Sequence, residues 1–351
     1  MLILAIDLGQ SKSVFCSFET TTGEVEFGRV ATRRGALQEL LEQRHPERVV
    51  IEICPLAGWV HDLVESLKIE IQVADPTQDA WKWKNVKRKT DEDDALKLAR
   101  LSALDQLNLV HIPSPPMRQW RRLIQERVTL VAEQTRCKNR IRALLLGQEQ
   151  TGPAGKNGWT KKALERLAQL ARPLSECSGE ELWRGILHTE LQRLQSTAAL
   201  LKIVEQKLDE LGQAKGNVAL LESTPGVGPR TAEVVVTALD DPHRFRSGRQ
   251  VSAYAGLTPR RWQSSSMDRQ GRISKRGGRT LRHALNQAAW MAVRYNPWAR
   301  AVFTRIKAGK KERAKIAIVA VMRKLLVVLW AMLRDQRRYR PPVVVTDKVA
   351  A

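Results

Sequence analysis

Residues 2–8, Leu-Ile-Leu-Ala-Ile-Asp-Leu, and residues 13–18, Ser-Val-Phe-Cys-Ser-Phe, are two short apolar runs at the start of the chain. Their length and their β-branched and aromatic residues predict two β-strands. A third strand is predicted around Val25 and Phe27, which alternate with polar neighbours beyond a turn at Gly23. The chain therefore begins with three successive predicted strands.

The following segment alternates between helix and strand. Leucines at helical spacing over residues 37–41 precede a predicted strand over 48–53, a helix over 59–67 and a last strand over 69–74. Three strands followed by helix, strand, helix and strand predict an α/β layer structure. This is also the element order of the ribonuclease H-like fold, and we assign the domain to residues 1–112.

The rest of the chain is predicted to be mainly helical. Two long helices with apolar residues at three-, four- and seven-residue spacing flank a loop rich in Gly and Gln over residues 147–158. We predict an antiparallel helical hairpin or coiled coil over residues 113–215, serving as a spacer or an oligomerisation arm. A mainly α-helical domain is predicted over residues 216–340, and residues 341–351 form a tail.

The charge of the chain indicates the class of its partner. The 351 residues include 59 Lys and Arg but 37 Asp and Glu, which gives a net charge of +22. An excess of this size favours a polyanion. Because the basic residues recur along the whole chain, nucleic acid fits better than a membrane surface.

Cysteine usage and hydropathy indicate the compartment. The four cysteines stand far apart with no CxxC pair, which argues against structural zinc and disulfides and favours a reducing cytoplasm. The apolar start runs directly into Asp7, so no signal peptide is expected. The apolar stretch over residues 316–333 carries Arg323 and Lys324 at its centre, which predicts a buried helix and no membrane partner.

Acidic residues at three places predict a metal site. Residues 90–94, Thr-Asp-Glu-Asp-Asp, follow a basic run whose Lys87, Arg88 and Lys89 are candidate phosphate ligands. Asp7 and Glu52 each lie near the end of an apolar predicted strand, and Asp91 and Asp94 are three apart and share a helix face. Four carboxylates suit a hard cation such as Mg²⁺.

Simpler explanations exist for two of these acidic features. Thr90 followed by Asp93 has the spacing of a capping box, and acids in a first helical turn stabilise the helix dipole, so Asp91 and Asp94 could be cap residues only. Asp-Leu-Gly at residues 7–9 also resembles the start of the phosphate loop of actin-like ATPases. That class would need later glycine-rich adenosine loops, which this sequence lacks.

Two later segments are candidates for binding DNA. Gly226 and Gly228 lie in Pro-Gly-Val-Gly between two helical stretches, which predicts either a phosphate-binding helix-hairpin-helix or a simple tight turn. Residues 260–279 contain seven basic side chains and one acid, around the run Ser264-Ser265-Ser266. This glycine- and arginine-rich segment is predicted to be a loop, and its serines are either flexible phosphate ligands or hold a nucleophile. The candidate nucleic-acid ligands here are Arg260, Arg261, Arg269, Arg272, Lys275 and Arg276.

The order of these motifs resembles that of a known family. Asp7, Glu52, Thr90-Asp91-x-x-Asp94-Ala95, Pro225-Gly-x-Gly228, Tyr254-Ala-Gly-Leu257 and Gly271-x-Ile-Ser-Lys-x-Gly277 occur in this sequence. The chain is therefore similar, over nearly its whole length, to the DEDD transposases of insertion sequences, the IS one-ten and IS eleven-eleven kind.

This resemblance implies a RuvC-like domain that binds Mg²⁺ through Asp7, Glu52, Asp91 and Asp94. It also implies a transposase domain whose serine forms a 5′-phosphoserine link to DNA. Members of the family are recombinases that a bridge RNA guides to donor and target DNA. The expected protein is cytoplasmic and nucleoid-associated in a prokaryote. We expect a homo-oligomer, a dimer or tetramer, in which the RuvC-like domain of one chain faces the transposase domain of another.

The position of the serine departs from the family pattern. The family's serine is usually followed by glycine, whereas this sequence has the serine run 264–266. Ungapped spacing between Pro259 and Gly271 places the nucleophile at Ser264, with Ser265 as its main rival.

Two other functions are compatible with the residues alone. One is a RuvC-type nuclease or junction resolvase that hydrolyses DNA with water and Mg²⁺. The other is a non-catalytic nucleic-acid-binding protein built on the hairpin and the basic surface. A covalent protein–DNA adduct would separate the transposase from both.

Overall fold

The computed structural model of the protein describes residues 1–75, 90–155, 157–264 and 267–342, with the backbone alone for Asn157, Trp262 and Gln270. The chain divides into two compact units, Met1–Pro116 and Met117–Ala351. The predicted helical hairpin and the predicted C-terminal domain both fall in the second unit. The division into domains at residues 112 and 215 stays a prediction.

The first unit is built on a five-stranded sheet in the order β3-β2-β1-β4-β5. Its strands are β1 (Leu2–Asp7), β2 (Lys12–Glu19), β3 (Val25–Ala31), β4 (Arg48–Glu52) and β5 (Glu70–Ala74). The first three strands are antiparallel, and β4 and β5 run parallel to β1. The α/β prediction is therefore confirmed, and the strand order agrees with a ribonuclease H-like arrangement.

Helices cover both faces of this sheet. They are α1 (Arg34–Arg44), α2 (Ala57–Ser66) and α3 (Asp91–Ala103). Alternate residues of β1 separate the two cores: Leu4 and Ile6 belong to the cluster that contains buried residues of α1 and α2, whereas Ile3 and Ala5 pack with buried residues of α3. The period of two along the strand thus fixes which side chains face α3.

The second unit begins with a long helical hairpin. Its helices are α4 (Pro115–Leu146), α5 (Lys161–Leu170) and α6 (Leu182–Gln213). Arg127 pairs with Glu205 at 2.7 Å and Arg140 with Glu190 at 2.9 Å, so α4 and α6 run antiparallel. The coiled-coil packing predicted for this region stays a prediction.

The remaining helices form a bundle around one apolar helix. The elements are α7 (Gly216–Glu222), α8 (Pro229–Leu239), α9 (Gly248–Tyr254), β6 (Pro259–Ser264), β7 (Met267–Ile273), α10 (Arg279–Tyr295), α11 (Pro297–Lys307) and α12 (Ala314–Asp335). The segment Lys311–Asp335 has the length and composition of a membrane span, but 56% of its most apolar stretch is buried in the protein. Arg323 and Lys324 are exposed between buried neighbours, as a helix buried on one side requires.

Arg230, which pairs with a buried acid on α8, ties that helix to the helical hairpin. Glu233 is 1% exposed and accepts hydrogen bonds from Arg230 Nη1 at 2.8 and 3.0 Å. Arg230 also donates to Asp209 and to the carbonyl oxygen of Glu205 on α6. Burial raises the pKa of Glu233 to about 7, and the charge of Arg230 offsets only part of that rise.

Glu233 therefore makes stability depend on pH. Because the folded pKa of Glu233 lies above the ordinary value of 4.5, the stabilisation that its protonated form contributes is fully present below pH 4.5. That stabilisation is lost as the pH rises through about 7. We expect the free energy of unfolding to fall by about 1–3 kcal/mol between pH 5 and 8 on this account. Urea unfolding of Glu233→Gln should show a flatter pH dependence than the parent protein, and equal slopes would contradict the assignment.

Candidate carboxylate and serine sites

Asp7 and Glu52 are neighbours at one edge of the sheet. Ile6 of β1 is in register with Ile51 of β4, and the two strands are parallel. The next residue on each strand is therefore Asp7 and Glu52, each the last of its strand and each partly buried. The sequence predicted an acid near the end of each of these strands, and Asp7 and Glu52 are the last residues of β1 and β4.

Both acids belong to the sheet face that α3 covers. Ile3 and Ala5 on β1 and Val50 on β4 pack in the cluster that contains the buried residues of α3. Side chains alternate between faces along a strand. Asp7 is two residues beyond Ala5, and Glu52 is two beyond Val50, so both lie on this face.

The hydrogen bonds of Ser102 fix the direction of α3. Ser102, in the last turn of the helix, donates from Oγ to Gln72 Oε1 at 2.8 Å, and its carbonyl accepts from Arg48 Nη1 at 3.3 Å. Arg48 is the first residue of β4. The helix therefore runs opposite to β4, and its first turn, with Asp91 and Asp94, lies at the carboxyl end of the strands.

The helix cap is formed by a third acid. Thr90 Oγ1 accepts from the backbone N–H of Asp93 at 3.2 Å, and Asp93 Oδ2 accepts from the N–H of Thr90 at 3.2 Å. This reciprocal pair is the capping box predicted from the sequence. Asp91 and Asp94 instead share the helix face of buried Ala95 by their spacing.

The four acids are a chemically suitable donor set for a divalent cation, because such ions prefer several carboxylate oxygens. Among the described residues, the one group of three candidate ligands within 4.8 Å of one another is a different set, His61, Asp62 and Glu65 of α2. There His61 Nδ1 lies 3.3 Å from Glu65 Oε2 within one helix. The predicted carboxylates are thus spaced more widely than that cluster.

Ser264 ends the first strand of a β-hairpin. The sequence predicted a loop over residues 260–279, and this was wrong for the part that forms β6 and β7. Ser264 pairs with Met267 next to the tip and is exposed. Met267 and Arg269 are two apart on β7, so Ser264 and Arg269 share a face of the hairpin. Ser265 lies outside the described residues.

Arg261 and Asp268 pair across the hairpin. Arg261 Nε and Nη2 donate to the two carboxylate oxygens of Asp268 at 2.8 and 2.6 Å. Hydrogen bonds from Arg261 lower the pKa of Asp268. The single acid of this basic segment therefore serves as a cross-strand partner, an arrangement that stabilises antiparallel strands.

Two sequence motifs meet at the base of the same hairpin. Ser274 N–H donates to Thr258 O at 2.8 Å, and Lys275 N–H donates to Gly256 O at 3.1 Å. A Cβ at Gly277 would lie 1.9 Å from Tyr254 O, and one at Gly256, where φ is +66°, would lie 2.7 Å from Arg276 N. These glycines are needed for the close approach of two chain segments, a role that sequence analysis missed.

The Pro-Gly-Val-Gly turn connects α7 to α8. Gly226 has φ +97°, and a Cβ there would lie 2.4 Å from Ala292 N on α10. Packing against α10 therefore requires glycine at this position. Gly228 precedes α8, and nothing within 4 Å would meet a Cβ there. Contact of this turn with DNA stays a prediction.

The other predicted phosphate ligands lie at several places. Arg260, Arg272, Lys275 and Arg276 are exposed on or beside the hairpin. Their number and exposure suit contact with phosphates. The predicted ligands Lys87, Arg88 and Lys89 fall within 76–89, outside the described residues.

Comparison with known proteins places the chain in a family. A family model described as "Transposase IS116/IS110/IS902 family" matches residues 218–304, and a DEDD transposase model of IS110 type, described as "Transposase", matches residues 4–148. The transposase y4rJ of Sinorhizobium fredii is 31% identical over 314 residues, 82% of this chain and 77% of that protein. The chain belongs to the IS110 transposase family.

More distant relatives agree with this assignment. The transposase for insertion sequence element IS1111A of Coxiella burnetii is 26% identical over 96% of this chain and 91% of that protein. A solved structure, Thermus thermophilus RuvC, is 14% identical, covers 31% of this chain and 100% of that chain, and has a TM-score of 0.24. The fold assignment rests on the strand order and not on that likeness. As a member of this family, the protein is a transposase and acts on DNA.

Proposed function

We propose that this transposase cuts and exchanges DNA strands through a carboxylate–Mg²⁺ site and a covalent 5′-phosphoserine link at Ser264, guided by an RNA. The observation that supports it best is the shared position of Asp7, Glu52 and the first turn of α3 at one end of one sheet face. An acid in the sheet has to be desolvated in part, and a divalent cation compensates for that cost.

The carboxylates hold and orient the ion in this proposal. Asp7 and Glu52 are fixed by the sheet, whereas Asp91 and Asp94 are fixed by a capped helix. Bound Mg²⁺ supplies charge stabilisation to the oxygens of the phosphodiester. Because the four side chains come from three separate elements of one unit, the site depends on the folded domain and not on a local motif.

The serine step is an exchange of one phosphoester bond for another. The Oγ of Ser264 forms a bond to phosphorus, the bond to the 3′ oxygen breaks, and the serine proton is transferred overall to the departing 3′ oxygen. The reverse step, with the 3′-hydroxyl of another strand, restores the serine. Arg269 shares the hairpin face with Ser264 and is placed to stabilise negative charge on the phosphate, whereas Arg261 is bonded to Asp268.

The adduct distinguishes this proposal from its two rivals. Full-length protein is incubated with DNA that carries the element ends and is labelled at the 3′ end of the cleaved strand, with Mg²⁺ and RNA from the element, and then denatured in detergent. A labelled protein band that survives detergent supports the serine mechanism. Cleavage without that band supports a RuvC-type nuclease, and binding without cleavage supports a non-catalytic binder.

RNA transcribed from the flank of the element should bind with sequence preference. We expect it to compete for the protein at least about 10-fold better than unrelated RNA of equal length and structure content, with both affinities falling steeply as salt rises. Filter binding at two salt concentrations measures this. Equal competition would reduce the interaction to general polyanion affinity and remove the guide from the proposal.

A further inference from the structure

The exposed face of α10 carries three large apolar side chains. Trp290 is 46% exposed, Met291 44% and Tyr295 54%. The opposite face of the helix is packed in the core through Leu281, Leu285, Ala288, Ala289 and Ala292. Large side chains gathered on the solvent side of one helix mark a contact surface more often than scattered single ones do.

The charge of the sequence segment that contains α10 favours an anionic partner. Between Asp268 and Glu312 the sequence contains no acidic residue. The same interval contains twelve basic residues, namely Arg269, Arg272, Lys275, Arg276, Arg279, Arg282, Arg294, Arg300, Arg305, Lys307, Lys310 and Lys311. A segment of this composition favours phosphates over another protein surface of the same sign.

Neighbouring side chains contact both aromatic rings. The Trp290 and Phe303 ring centroids are 5.7 Å apart with the planes at 58°, so α11 supports one side of the indole. The Arg294 guanidinium lies 5.3 Å from the centroid of the Tyr295 ring. Supported aromatic rings combined with arginine are the chemistry that binds unpaired bases of nucleic acid.

The turn between α7 and α8 packs against the core-facing side of α10. An added Cβ at Gly226 would come within 2.9 Å of the backbone of Met291 and Ala292. This contact fixes the core-facing side of α10 and leaves the opposite side, with Trp290 and Arg294, exposed.

We propose that Trp290 and Tyr295 form a stacking platform for unpaired bases, with Arg294 contacting the same strand. The platform shares one premise with the proposed function, namely that nucleic acid binds to the second unit. It depends on neither the carboxylates nor Ser264. Strand exchange separates paired strands, and a guide RNA presents unpaired bases, so DNA and RNA offer the same chemistry here.

The test compares the affinity of full-length protein for single-stranded and double-stranded oligonucleotides of about 20 nucleotides by fluorescence anisotropy. We expect Trp290→Ala and Tyr295→Ala each to weaken binding of single-stranded DNA or RNA by about 5- to 100-fold and duplex binding by less than about 2-fold. Trp290→Phe should keep most of the affinity because it keeps an aromatic face. A loss confined to the RNA or to the DNA oligonucleotide identifies which strand uses the platform.

Ile203→Ala provides the matched control. Ile203 on α6 is 64% exposed, so this variant removes an accessible apolar side chain elsewhere in the same unit. It should bind single strands as the parent does. Trp290→Leu keeps an apolar contact for Phe303 but has no ring. Thermal unfolding checks the stability of this variant. It should lose affinity for single strands as Trp290→Ala does.

Three outcomes would overturn the platform. Equal losses for single strands and duplex would mean a general phosphate contact, and normal affinity of Trp290→Leu would remove stacking. A change of oligomeric mass by light scattering, with unchanged affinity for single strands, would identify the face as a contact between copies of the chain. Asp7→Asn should retain the single-strand affinity, so failure of the cleavage proposal and failure of the platform are separable.

Discussion

An Asp7→Asn protein should fold and bind DNA normally but lose DNA cleavage and strand transfer by about 1,000-fold or more. Asparagine keeps the shape of the side chain at the end of β1 but removes one negative charge from the four-carboxylate set. A divalent cation would then lose affinity and position together. Conversion of a plasmid that carries both element ends, measured with time, gives the rate.

The chain offers a matched control for this variant in Asp93. Asp93→Asn also removes one carboxylate from the acidic region, but from the capping box at the start of α3. We expect it to cost at most about 1 kcal/mol of stability and to leave the cleavage rate within a few-fold of the parent. Equal, severe loss in both variants would mean that the acids act through the structure of α3.

Metal binding gives a readout that does not depend on cleavage. Calorimetric titration with Mn²⁺, which takes oxygen ligands as Mg²⁺ does, should show a site in the parent that is absent in Asp7→Asn and present in Asp93→Asn. If all three proteins bind Mn²⁺ alike, Asp7 is not a ligand, and the carboxylates of this unit need another explanation.

The sequence was sufficient to predict the strands of the sheet and the strand ends that carry two acids. Apolar runs of strand length predict β1 and β4, and an acid at the end of each then falls at the carboxyl edge once the strands are parallel. The direction of α3 was not available from local patterns. It depends on Ser102 meeting Gln72 and Arg48, which are distant in sequence.

The hairpin of β6 and β7 was missed for a physical reason. Its composition of arginine, serine and glycine lacks the apolar alternation from which a strand is predicted. The backbone ladder between β6 and β7 holds it, with Arg261 paired to Asp268 across the strands and the close backbone contact of Gly256 and Gly277 below. Part of the spacing of the family motifs is therefore required by backbone packing. Interpreting single residues by their chemistry does not reveal that packing.

A Ser264→Ala protein should bind RNA and DNA with normal affinity but form no covalent DNA adduct, a loss of about 1,000-fold or more. Alanine removes only the Oγ, and Ser264 is exposed at the end of β6, so neither the core nor the strand pairing with Met267 depends on that atom. The detergent-resistant, 3′-end-labelled complex measures the adduct directly, and duplex binding measured in parallel checks that the protein is intact.

Two further serines make the result specific to a position. Ser274→Ala changes a serine in the same basic segment, where the backbone N–H rather than the hydroxyl bonds to Thr258, so normal adduct formation is expected. Ser265→Ala tests the rival position. If Ser265→Ala loses the adduct while Ser264→Ala keeps it, the ungapped alignment with the family is shifted by one residue. If both variants form the adduct at the parent's rate, cleavage does not proceed through this serine run, and attack by water at the carboxylate site becomes the mechanism to test.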